Sequence, residues 1–169
     1  AGGEPVNLGI ARDTPESLRE HLRGAAECDL LITSAGISVG EHDFVKQVLE
    51  EMGGVLRFWK LRMRPGAPVG FGALGGIPWI GLPGNPVSTM VTFELFARPA
   101  IRTMMGHALP FRRAVRVRLG QAIRLGPTLQ HFLRAVVGET PEGLEARLTG
   151  PQGSGILTSM TKANALLVL

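Results

Sequence analysis

The stretch Gly81-Leu82-Pro83-Gly84-Asn85-Pro86-Val87-Ser88 decides the fold. It follows the apolar run Ile77-Pro78-Trp79-Ile80 and precedes an apolar-periodic segment running to about Met105. That order predicts a buried strand, a tight turn and a helix entered through a cap. Asn85 suits the cap, and Pro86 suits the first helical position, where its missing N–H costs nothing. Gly84 lets the backbone approach a ligand or take a positive φ. Main-chain N–H groups at such a turn favour an anion above the strand end.

Working outward toward the N-terminus, Val6 to Ile10 reads as a short strand. Asp13-Thr14-Pro15-Glu16 announces a helix, with Asp13 as its cap and acid in its first turn. Leu30-Leu31-Ile32-Thr33 is a short buried strand. The loop Ser34 to Asp43 leaves it, closed by an acidic cap on a helix striped by Phe44, Val45, Val48, Leu49 and Met52. Gly53-Gly54 stops that helix, and Val55 to Lys60 is strand-like. Lys60, Arg62 and Arg64 occupy alternate positions, so an extended chain would project them from one face. Val69 to Phe71 and Pro78 to Gly81 flank Ala73-Leu74-Gly75-Gly76 as a hairpin.

Toward the C-terminus, the helical pattern from Pro86 is expected to kink at Pro99 and end at Gly106. His107-Ala108-Leu109-Pro110 reads as a linker. Beyond it, Ala114–Leu119, Leu129–Val137, Leu144–Leu148 and Ala165–Leu169 are short and β-like, between Gly/Pro turns. The alternation of strand and helix in the first part predicts an α/β domain with a mostly parallel sheet. The expected organisation is an α/β domain over 1–106, a linker over 107–111 and a small all-β domain over 112–169.

Composition narrows the function classes. The chain has 44% hydrophobic and 19% charged residues, enough to bury a core. Aromatics make up 5% and Tyr is absent, so base-stacking platforms are few and no nucleic-acid partner is expected. The net charge is +4, with the arginines crowded toward the end of the chain. Cys28 is the lone cysteine, which excludes a disulfide framework and suits a reducing compartment. No signal peptide and no long apolar run is present, so a soluble protein with no membrane partner is expected.

In α/β sheets, ligands bind beyond the carboxyl ends of strands. Asp13, the Ser34–Asp43 loop, the Lys60–Gly66 segment and the Leu82–Ser88 turn all sit at expected strand ends, which would gather them on one sheet edge. They combine carboxylates (Asp13, Glu41, Asp43), cations (Lys60, Arg62, Arg64) and main-chain donors. Cations and N–H groups hold phosphate, and carboxylates hold Mg²⁺, so the set suits phosphoryl or nucleotidyl chemistry. A serine hydrolase is excluded, because neither Ser34 nor Ser38 lies in a Gly-x-Ser-x-Gly elbow. The four histidines are scattered and form no metal-ligand spacing.

Three ordered motifs then carry a resemblance: Thr33-Ser34-Ala35-Gly36-Ile37-Ser38-Val39-Gly40-Glu41-His42-Asp43-Phe44, Met63-Arg64-Pro65-Gly66-Ala67-Pro68, and Gly81 to Ser88. With Pro151-Gln152-Gly153-Ser154-Gly155 near the end, they resemble the molybdopterin molybdenumtransferase family, of the MoeA type, similar to the C-terminal domain of gephyrin. The resemblance implies a three-layer α/β/α molybdopterin-binding-like domain followed by a small β domain. It implies an enzyme of molybdenum cofactor synthesis that takes adenylylated molybdopterin and molybdate and releases AMP, with Mg²⁺ as cofactor. It implies Asp13, Asp43, Lys60 and Arg64 as catalytic, with Asp13 and Asp43 as Mg²⁺ ligands. Ser34, Gly36, Ser38, Gly40, Glu41, Pro83, Gly84, Asn85, Pro86 and Ser88 are implied as substrate-binding. One serine of the Ser154–Ser159 loop is expected at a neighbouring site, and which one is open. A homodimer in the cytoplasm is implied, with the molybdopterin adenylyltransferase as a further partner. Ala35 stands where the family usually has Gly, Ala67 where many members carry Lys, and Arg64 for a frequent Lys. The family's opening strand and Thr-Gly-Asp-Glu loop are not in the sequence, so the chain is expected to be a fragment that by itself binds ligand weakly and turns over nothing. The competing readings are a gephyrin-like scaffold for a receptor tail and the molybdopterin adenylyltransferase.

Overall fold

A computed structural model describes residues 1–37, 44–58, 60–126 and 128–169. Its first sheet has the order β1-β5-β4-β2, built from β1 (Leu31–Ser34), β2 (Val55–Phe58), β4 (Gly70–Leu74) and β5 (Ile77–Leu82). Successive side chains of a strand point to opposite faces, and β5 serves both. Trp79 packs with Leu22, Val48 and Leu49 of α1 (Pro15–Arg23) and α2 (Phe44–Glu51). Ile80 and Leu82 pack on the other face with Phe93, Phe96 and Ala97. The result is three layers, helices on both sides of a sheet.

The sheet is mixed rather than mostly parallel. Only β1 and β5 run parallel, from Leu31 opposite Trp79 to Ser34 opposite Leu82. β4 pairs antiparallel with both β5 and β2. Parallel pairing needs a crossover, usually helical, and none joins β2 to β4 or β4 to β5. Gly75 and Gly76, with φ of 59° and 85°, make instead the tight turn that returns the chain antiparallel.

Three local expectations change as well. Residues 1–12 form no strand and are mostly exposed, since no neighbour pairs with them. The cap of α1 is Thr14, whose hydroxyl accepts from the Ser17 N–H, so Asp13 lies one residue before it. The segment after Pro86 is helical through Met104, but it carries a π-helical turn in its middle. It divides into α3 (Pro86–Thr92), a π-helical turn (Phe93–Ala97) and α4 (Arg98–Met104). Pro99 lacks an N–H and its ring crowds the carbonyl four residues back. Widening the preceding turn, with Arg98 N–H donating to Phe93, absorbs that misfit.

The second sheet is centred on β7 (Gln130–Thr140). It pairs antiparallel with β8 (Gly143–Leu148) and β9 (Ala165–Val168), while β6 (Arg118–Leu119) adds parallel to β8. The strand expected over Ala114–Leu119 is thus only two residues long. Leu133, Ala135, Ala146 and Leu167 form its core. One helical turn, α5 (Thr158–Thr161), interrupts the otherwise β pattern.

The two sheets are joined by β3 (Met63–Arg64), which leaves the first layer and pairs parallel with the start of β7. Met63 is buried with Val87 and Val91 of α3, against Phe132, Leu166 and Met160. The linker after α4 is tied down too. Arg112 donates twice to Glu94, and Arg98 donates to the Pro110 carbonyl at 3.1 Å.

Candidate active site

β1 and β5 end side by side, so the loops that leave them meet. The Ala35 N–H donates to the Leu82 carbonyl at 3.0 Å. The Ser34 hydroxyl donates to the Pro83 carbonyl at 3.4 Å. A Cβ on Gly84 would lie 2.9 Å from that of Ala35, so glycine permits this approach. Ser34, Gly36, Pro83 and Gly84 therefore occupy one sheet edge, with exposed Asn85 and Pro86 opening α3 beside them. Asn85 is the cap, although its side chain makes no capping bond.

A cavity of about 510 Å³ opens at this edge, between β1, α1 and the 8–14 segment. Asp13, Thr33, Ser34, Ala35 and Gly36 line it on the polar side, and Leu8, Leu18, Leu22 and Phe44 on the apolar side. Asp13 is exposed there. Ser38, Gly40, Glu41 and Asp43 lie outside the described residues.

A second cavity of about 270 Å³ lies where the two sheets meet. Arg64, Pro65, Gly66 and Ala67 line one side, Ser88 of α3 another, and Leu129, Gln152 and Ser154 the third. The two cavities share no lining residue. Of the expected site residues, Asp13, Ser34 and Gly36 line the first cavity, and Arg64 and Ser88 line the second. For Arg64 the physical reason is β3. Pairing with β7 sets Arg64 beside the second sheet.

Lys60, Arg62 and Arg64 are all exposed, alternating with half-buried Leu61 and buried Met63, although only Met63–Arg64 is strand and Arg62 lies at a bend. Lys60 lines neither cavity. Among the described residues Lys60 and Arg64 have no ion-pair partner, so their charge is free for an anion. Gly66, at φ 96°, presses its backbone on the Thr92 side chain and brings the Arg64–Ala67 turn against α3.

Behind the second cavity sits Arg134, only 1% exposed. Its Nε donates to the Ser159 hydroxyl at 3.0 Å and its Nη2 to the Gly153 carbonyl at 3.2 Å. Burial pushes its guanidinium below the ordinary arginine range, because a charge is costly away from water. Ser154 lines the cavity, whereas Ser159 is buried under Arg134. The contact of Gln152 with Arg134 was not legible in the sequence, because β7 and the 150s loop meet only through tertiary pairing.

Among the described residues no group of three or more His, Cys, Asp or Glu side chains could hold a metal. The first cavity offers one carboxylate, Asp13, among hydroxyls. Arg12 and His21 line it too, so Asp13 and the hydroxyls could hold Mg²⁺ only together with substrate phosphates and waters. No helix among the described residues is long and apolar enough to cross a membrane.

Comparison with known proteins adds the following. Residues 1–103 match the family described as probable molybdopterin binding domain, and residues 116–169 match the MoeA C-terminal region, domain IV. The chain is 36% identical to the molybdopterin molybdenumtransferase of Haemophilus influenzae, over 98% of this chain and 42% of that protein. It is 34% identical to the gephyrin of Dictyostelium discoideum, over 97% of this chain and 26% of that one. The crystal structure of the molybdopterin biosynthesis moeA protein of Pyrococcus horikoshii superposes with a TM-score of 0.74 at 28% identity, over 99% of this chain and 38% of that one. The chain thus spans well under half the length of these relatives.

Proposed function

The chain belongs to the probable molybdopterin binding domain family, and we propose that it supplies the substrate-handling part of a molybdopterin molybdenumtransferase. In this reading molybdate is inserted into adenylylated molybdopterin and AMP leaves. One observation carries the proposal: β3 brings Arg64 into the same cavity as Ser154 of the second sheet, next to the α/β layer that matches the molybdopterin-binding family.

The larger cavity has the size and mixed lining of a small-molecule site, and it takes adenylylated molybdopterin. Ser34 and Gly36, backed by the Pro83-Gly84-Asn85-Pro86 turn, would offer hydroxyl and main-chain donors to its polar groups. Asp13 and Asp43 would hold Mg²⁺, which neutralises phosphate charge when bound. The smaller cavity takes molybdate. A tetrahedral dianion wants a cation and O–H donors, and Arg64, Ser88 and Ser154 are those groups. Arg64 is exposed enough to bind and release an ion, and the buried wall behind Ser154 keeps the cavity in shape. Lys60, exposed and lining neither cavity, would draw in anions rather than grip them. Ser38, Gly40 and Glu41 belong to this reading through the family motif alone. So do the homodimer, the cytoplasmic setting and a molybdopterin adenylyltransferase that delivers the substrate. The MoeA-type second domain favours the molybdenumtransferase over the adenylyltransferase.

The test is AMP release. The intact protein, given adenylylated molybdopterin, Mg²⁺ and molybdate, should release AMP in a molybdate-dependent way, and Asp43→Asn should abolish it. No molybdate-dependent AMP from the intact wild-type protein would sink the proposal.

A further inference from the structure

Gln152 lines the second cavity, yet its amide is spent elsewhere. Its Oε1 accepts from the Arg134 N–H at 2.8 Å, and its Nε2 donates to the Arg134 carbonyl at 3.1 Å and the Gly150 carbonyl at 3.0 Å. A side-chain amide that pairs both main-chain groups of one residue does the job of a neighbouring strand. The position needs one. β8 pairs with β7 only from Ala135 onward, so Arg134 lies one residue past the end of that ladder. A buried N–H left there without a partner would be costly. Thr149 and Gln152 continue the ladder instead, Thr149 N–H donating to the Arg134 carbonyl at 3.1 Å.

Arg134 returns the hold with its own side chain, through the Gly153 carbonyl and the Ser159 hydroxyl. The main chain is therefore gripped at residues 152 and 153, immediately before Ser154 enters the cavity that Arg64 lines. We propose that Gln152 is a positioning residue of the oxyanion cavity: its two-point clasp on the Arg134 main chain sets where the Ser154 hydroxyl stands relative to Arg64. A committed amide cannot also serve as the ion's ligand, so Gln152 acts through Ser154. The inference rests on the reading of this cavity as the molybdate site.

The experiment is a double-mutant cycle on the intact protein, with molybdate alone as the probe. Gln152→Met keeps the volume and removes every hydrogen bond of the clasp. It should weaken molybdate binding roughly five- to tenfold, the loss of about one positioned hydrogen bond. In a Ser154→Ala background the same change should leave molybdate affinity unaltered, while lowering thermal stability as much as it does in wild type. Equal affinity losses in the two backgrounds, or none in either, would overturn the inference. If Gln152→Met does not fold, Gln152→Asn replaces it, since its amide is one methylene too short for both bonds and the same pattern is expected. Arg64→Ala separates the two levels. Wild type that binds no molybdate, or Arg64→Ala that binds as well as wild type, defeats the cavity reading itself. Loss in Arg64→Ala with an additive cycle defeats only the clasp.

Discussion

At Gly66 the chain holds a φ of 96°, and a Cβ there would run into the side chain of Thr92 and close on Met63. Both penalties fall on one substitution: the left-handed conformation and the overpacked contact. Gly66→Ala should cost roughly 2–4 kcal/mol in denaturant unfolding. A loss below about 1 kcal/mol would mean that α3 yields to the added methyl, and that the Arg64–Ala67 turn is not pinned. Residue-scale chemistry was partly legible. The alternation of Lys60, Arg62 and Arg64 with apolar Leu61 and Met63 is matched by their exposure, although a bend at Arg62 keeps the segment from being one strand. The partners of Arg134 and Gln152 were not legible, because no local pattern links residue 134 to residues 150–159.

The helices on the first face pack as a pair. Arg19 of α1 bonds Glu51 of α2, which also accepts from Gln47 at 2.7 Å. The hydrogen bond from Arg19, then that from Gln47, holds the Glu51 carboxyl below its ordinary range. A lowered carboxylate pKa favours the folded state above the unfolded value, and that favour is lost as pH falls through the folded value. Arg19→Met should therefore raise the Glu51 pKa toward the usual carboxylate value, read by NMR titration of its carboxyl carbon. The stability difference between wild type and variant should be present at neutral pH and vanish in acid. A Glu51 titration unchanged by the substitution would show that the pairing contributes nothing in solution. Both sites are exposed, so the effect is small. At this scale the sequence spoke clearly where signals were local: Pro15 and Pro86 at helix starts, and the Gly75-Gly76 turn. It misled at Asp13, where Thr14 took the cap because its hydroxyl reaches the Ser17 N–H.

Across the molecule, two residues of extended chain couple two sheets. Met63 is 4% exposed and packs against α3 on one side and Phe132, Leu166 and Met160 on the other. Met63→Ala should cost about 2–5 kcal/mol, the usual penalty for emptying a buried site. Wild type should unfold in one transition, because the β3–β7 pairing and the Met63 cluster make the sheets stand or fall together. Two separated transitions in urea would contradict that coupling. Molybdate, on the proposed reading, should raise the midpoint of the same single transition, since its cavity takes walls from both sheets.

The alternation of strand and helix, the capped turn at Gly81–Ser88 and the change to short β segments after residue 111 are periodic and local. The sequence therefore determined by itself the helices on the first sheet, the following β region and the family. Strand order and direction are not local. Whether β4 and β2 run with or against β5 depends on which connections contain a crossover helix, and the mixed sheet came only from the tertiary structure. The placement of Arg64 was likewise decided there. Residues 60–67 read as one more loop at the first sheet's edge, but Met63 and Arg64 pair in register with Gln130 and His131, more than sixty residues on, with the Gln130 N–H donating to the Arg62 carbonyl. That pairing sets Arg64 in one cavity with Ser154, because a strand's main-chain groups go to whichever edge can satisfy them.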